Sequence, residues 1–115
     1  MMRIHYAGGS ELTGTDIADA LMDLAEELGK AGAATTVEIP VRQSDGSMGR
    51  SRFLIGPASQ IVAETEHSAL QEVVDEELVQ DLKRQAEAFR PHSVLYEDGL
   101  ETLSWDPDLD EPPAP

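Results

Sequence analysis

Residues 36–55 read Thr36-Val37-Glu38-Ile39-Pro40-Val41-Arg42-Gln43-Ser44-Asp45-Gly46-Ser47-Met48-Gly49-Arg50-Ser51-Arg52-Phe53-Leu54-Ile55. The first arm alternates, placing Val37, Ile39 and Val41 on one side of an extended chain. Pro40 has no amide to donate, so this strand lies at an edge or turns Pro40 away from its neighbour. Ser44-Asp45-Gly46-Ser47 is a turn signal, and Arg50-Ser51-Arg52-Phe53-Leu54-Ile55 returns as the second arm of a hairpin. Gly56-Pro57 stops that arm, and Gln60-Ile61-Val62-Ala63-Glu64-Thr65 reads as a further strand.

Toward the N-terminus the period changes. Ile17, Leu21, Leu24 and Leu28 recur at helical spacing, while Asp16, Asp19, Asp23, Glu26 and Glu27 take the remaining surface. Thr13 or Thr15 can cap this helix, and Gly29 or Gly32 ends it. Before it, Ile4-His5-Tyr6-Ala7 is a short strand stopped by Gly8-Gly9-Ser10.

On the C-terminal side, Ser68 with Gln71 three residues later resembles a capping box. Leu70, Val74, Leu78, Leu82, Ala86 and Phe89 then form the stripe of a long helix, with Val73 beside it, that Pro91 terminates. Val94-Leu95-Tyr96 and Leu100-Glu101-Thr102-Leu103 flank Glu97-Asp98-Gly99 and suggest a last hairpin. The predicted order is therefore β-α-β-β-β-α-β-β, an α+β fold with two amphipathic helices on one face of a small, mostly antiparallel sheet. One domain is expected over residues 1–103. An acidic, proline-rich flexible tail is expected over residues 104–115, because its composition buries too little apolar surface to offset chain entropy.

The 115-residue chain carries a net charge of −15 and no cysteine. Without cysteine there is no disulfide, no thiolate chemistry and no cysteine-ligated zinc or iron–sulfur cluster. The acidic field disfavours direct nucleic-acid binding and anionic membranes and favours basic partners. The bland reading of that field is a solvated surface that keeps the protein in solution. The N-terminus has no apolar run resembling a signal peptide, and no stretch approaches the roughly 18 apolar residues of a membrane span. A cytoplasmic protein is expected.

Four features invite chemistry. Gly8-Gly9-Ser10 ahead of Thr13-Gly14-Thr15 has the layout of a phosphate loop, but it lacks the specific glycine and lysine spacing, and Glu11 and Asp16 would repel a phosphate. An ordinary strand-to-helix turn is the expectation. Glu64-Thr65-Glu66-His67 brings carboxylates near an imidazole, with a polar junction as the bland alternative. His5, His67 and His92 show no ligand spacing, and no serine is marked as activated, so no catalytic residue, cofactor or metal is assigned. Asp106, Asp108 and Asp110 copy the acid spacing of a calcium loop without its glycine.

The fourth feature is a local reversal of charge. Arg42, Arg50 and Arg52 face Glu38 and Asp45 in an otherwise acidic chain, and the two arms can present all three arginines to solvent with Met48 near the tip. Such a cluster suits a carboxylate, a phosphate or the acidic helix of a second copy in a homodimer. Edge protection against aggregation is the bland reading. In the tail, Trp105 and Leu109 are apolar anchors four apart among acids, fit for docking in a groove. The expected function is a non-enzymatic protein-interaction module: a regulator, adaptor or inhibitor subunit. Its candidate contact residues are Arg42, Met48, Arg50, Arg52, Trp105 and Leu109. Two alternatives are an acidic nucleic-acid mimic, and a small-ligand binder or enzyme that pairs the arginine face with Tyr6, His5 or His67.

Overall fold

The computed structural model describes residues 1–90. The predicted last hairpin, the tail, Trp105 and Leu109 lie outside the described residues. Within them the elements run β1 (Met2–Tyr6), β2 (Gly9–Thr13), α1 (Thr15–Ala31), β3 (Thr35–Arg42), β4 (Met48–Ile55), β5 (Ile61–Thr65) and α2 (Glu76–Phe89). The strands form one antiparallel sheet in the order β4-β3-β2-β1-β5. The α+β class stands. No helix is long and apolar enough to cross a membrane among the described residues.

Two expected boundaries need correction. The segment Gly8-Gly9-Ser10 is not a strand-to-helix turn. Ala7 and Gly8 form a two-residue hairpin turn with φ of 53° and 81°, and Gly9 already begins β2. Positive φ at both central residues matches the right-handed twist of the flanking strands. A second strand therefore precedes α1, and the order opens β-β-α.

The second helix also starts later than its apolar pattern suggests. Ser68 Oγ accepts the Leu70 amide in a local turn, and Asp75 is the true N-cap, accepting the Leu78 amide at 3.1 Å. Glu76 and Glu77 in the first turn suit the positive end of the helix dipole. Residues 66–75 instead cross the sheet end as an irregular strap. Glu66 binds Arg3, the Gln71 carbonyl accepts from Arg42, and Glu72 accepts the Thr15 amide at 2.8 Å. These tertiary bonds outbid the helical ones that Gln71 and Glu72 would make.

The core follows the alternation. Val37, Ile39 and Val41 join Ile4, Phe53 and Ile55 under Ile17, Leu21, Leu24 and Leu28 of α1. From α2, Leu82 and Ala86 of the expected stripe are buried with Val79, Leu78 is partly buried against the core, and Phe89 is exposed. The two helices pack against each other. Pro40 lies inside the sheet, between β4 and β2, with its carbonyl taking the buried Thr13 hydroxyl at 2.7 Å. A residue's N–H and C=O leave a strand on the same side, so Pro40's missing donor faces β2 and the β3–β4 ladder loses nothing. Gly32 ends α1 in the left-handed region at φ 65°.

Candidate functional site

The register assigns one set of side chains to the face opposite the core. From β3 and β4 these are Glu38, Pro40 and Arg42, with Met48, Arg50, Arg52 and Leu54 across from them. From β1, β2 and β5 they are Arg3 and His5, Ser10 and Leu12, Val62 and Glu64. The hairpin arginines do share this outer face, but they are not equivalent. Arg42 is half-buried and spent on backbone: Nη1 donates to the Gly46 carbonyl at 2.9 Å and Nε to the Gln71 carbonyl at 3.3 Å. It fastens the hairpin turn to the strap.

Arg50 Nε donates to Glu38 at 2.7 Å. That hydrogen bond holds the Glu38 carboxyl below its usual range, with the charge of Arg52 adding to it. Arg52 itself is exposed, and among the described residues no carboxylate lies within ion-pair distance of it. Beside it on β4, Leu54 keeps 64% of its surface in water, and Met48 keeps 49%. Leu54 and Val62, the latter 55% exposed, line one open depression of about 1030 Å³. His5 and Ser10 share its wall, and the backbone of Gly8 and of residues 56–60 forms its rim. At this end of the sheet the Tyr6 hydroxyl donates to the Leu54 carbonyl, and the Tyr6 and Phe53 rings pack at 5.2 Å and 58°.

The polar groups of this depression are largely engaged. His5 Nε2 stands 2.6 Å from Glu64 Oε1. Ser10 is opposite His5 in register, yet no hydrogen bond joins them among the described residues. Among the described residues, no hydrogen bond links this exposed imidazole–carboxylate pair to a nucleophile. The carboxylates of Glu64-Thr65-Glu66-His67 do not converge on His67. Glu64 goes to His5, and Glu66 makes a two-pronged pair with Arg3 at 2.9 and 2.7 Å, which pulls its carboxyl below the usual range.

The suspected phosphate loop is also resolved. The amide of Thr15, the first residue of α1, is already occupied by the Glu72 carboxylate, so the chain supplies its own anion at that helix end. Elsewhere, Asp16, Asp19, Asp23, Asp75 and Glu76 rim a second depression of about 610 Å³ between the helices, around Lys83. Among the described residues no group of three histidines or acids is placed to hold a metal ion.

No protein-family model, no curated protein and no solved structure matches the chain. The site therefore rests on geometry. Of the predicted contact residues, Arg42, Met48, Arg50 and Arg52 share the outer face, with Arg42 donating to backbone carbonyls. Leu54 and Val62 were missed, because they sit on the two edge strands β4 and β5 and meet in one depression only through contacts between distant segments, which no local pattern announces.

Proposed function

We propose that this chain is a small non-enzymatic protein-interaction module that binds a partner protein through its outer sheet face around β4. The observation that carries the reading is the juxtaposition on β4 of exposed Arg52 with exposed Leu54, which lines the depression. A guanidinium beside an open apolar surface can anchor a partner's carboxylate and bury its neighbouring apolar side chain. The acidic remainder of the surface repels acidic competitors and steers orientation more than it adds affinity.

The test is capture of the partner from the source cells, followed by remixing of purified components. Arg52→Glu and Leu54→Asp are expected to lose the complex, while Lys83→Glu on the helix side keeps it. Equal retention by all three variants would remove the outer face from the function.

A second reading is favoured by one pattern. Asp16, Asp19, Asp23 and Glu26 are exposed along one side of α1, at rises of roughly 4.5–6 Å. Such a row can imitate a phosphate strip and occupy a nucleic-acid-binding protein. Here complex formation with a basic protein would fall steeply with salt and would be lost in Asp19→Asn/Asp23→Asn but not in Arg52→Glu.

A further inference from the structure

The depression beside Arg52 has a candidate occupant within this sequence. Residues 105–110 read Trp105-Asp106-Pro107-Asp108-Leu109-Asp110, in which three apolar residues alternate with three acids. Laid out extended, such a segment offers apolar groups along one side and carboxylates along the other. The outer face offers the complement: Leu54 and Val62 in an open apolar depression, with Arg52 and then Arg50 continuing along β4 from Leu54.

Charge narrows the choice of surface. An acidic segment on a chain of net charge −15 is repelled by most of its own domain. Among the described residues the other cations are committed. Arg3 holds Glu66, Arg84 meets Asp81, Arg90 meets Glu27 and Glu87, and Lys30 meets Glu26. Arg42 is spent on carbonyls, and Lys83 stands among the carboxylates of the helix groove. Arg52 alone combines an uncommitted guanidinium with an exposed apolar neighbour.

Reach is not limiting. The 14 residues between Arg90 and Trp105 can extend about 45–50 Å, against a radius of gyration near 12 Å for a compact domain of this size. Tethering also helps. At an effective concentration on the order of 1 mM, a segment that binds with a Kd of only about 100 μM as a separate peptide would be about 90% docked.

We infer that residues 105–110 dock in cis onto the outer sheet face, Trp105 entering the Leu54–Val62 depression and the neighbouring aspartates meeting Arg52. This rests on the outer face being the binding surface of the module.

Trp105 is the sole tryptophan, so its fluorescence in the full-length protein reads the docking directly. The expected result is blue-shifted emission and slowed acrylamide quenching at low salt, relative to the denatured chain. Arg52→Glu and Leu54→Asp should each release Trp105, while Lys83→Glu should not. Both released positions are exposed, and circular dichroism confirms that the variants fold. Solvent-exposed Trp105 in the wild type overturns the docking, as does shielding that neither variant relieves. Shielding that grows with protein concentration overturns the cis arrangement in favour of a second copy. In each of those cases the partner-capture experiment still decides separately whether the outer face binds another protein.

Discussion

Arg90, at the end of α2, donates from Nε to the Glu27 carboxylate at 3.2 Å, and that carboxylate belongs to the one buried polar residue of α1. The sequence places Glu27 on the solvated face of its helix, but α2 packs over it. Lys30 lies 3.9 Å from the same carboxylate, too far for a strong bond. The pair therefore clasps the two helices at one end. Its two halves differ: without Glu27, Arg90 turns to water and Glu87, whereas without Arg90 the buried Glu27 charge loses its best partner. Arg90→Ala is expected to lower the urea midpoint more than Glu27→Gln does. The reverse order would mean that Lys30 neutralises Glu27 unaided.

Gly14 is a second point where helix and strap meet. A Cβ built there would lie 1.8 Å from the Val73 carbonyl oxygen and 2.9 Å from its carbon. Both are backbone atoms, so the strap must move as a unit. Gly14→Ala is expected to cost about 1–3 kcal/mol, toward the upper end, and trimming the neighbour in Gly14→Ala/Val73→Ala should not restore it. Gly29 is the internal control. A Cβ there meets nothing within 4 Å, so Gly29→Ala should stabilise α1 by about 0.5–1 kcal/mol. Chemical denaturation of the three variants measures both signs.

Elements whose evidence lies within a few residues were legible in the sequence. The α1 stripe and the β3 alternation needed only their own periods, and all seven of their marked apolar positions are buried. The first hairpin was hidden because Ser10 and Glu11 carry no apolar alternation and Ala7 does not advertise a left-handed turn. The start of α2 was misplaced because Ser68 and Asp75 are equally good caps. Contacts to Arg3, Thr15 and Arg42, all far away in sequence, decide between them. The site divided the same way. Strand alternation put Arg50, Arg52 and Met48 on the outer face. It could not reveal that Arg42 would find carbonyls, nor that Leu54 and Val62 would share one depression.

The hidden hairpin has a consequence for stability. Ala7 holds a left-handed backbone at φ 53°, a conformation that costs a side-chain-bearing residue about 1–2 kcal/mol. Asparagine tolerates it better and pairs with glycine in this turn type. Ala7→Asn is expected to raise stability by up to about 1 kcal/mol, and the β-branched Ala7→Val to lower it. Thermal midpoints of the two variants should bracket the wild type. If both fall below it, the side chain at this position is doing something other than occupying a turn.

The strap should also respond to acid in a defined window. Glu72 accepts the Thr15 amide at 2.8 Å, and this bond, reinforced by the Met1 ammonium, holds its carboxyl below the usual glutamate range. A carboxyl whose folded pKa is depressed contributes stability that is fully present above its unfolded pKa, about 4.3. That contribution is lost as pH falls through the lower folded value. Removing many negative charges at acid pH also relieves repulsion across the whole molecule, so the wild-type profile alone mixes two effects. The difference between wild type and Glu72→Gln separates them, because both chains share the global term. That difference should be constant above about pH 5 and shrink toward zero as the pH falls below 4. A gap that persists unchanged at low pH would mean that the Glu72 contact acts through packing and not through its charge.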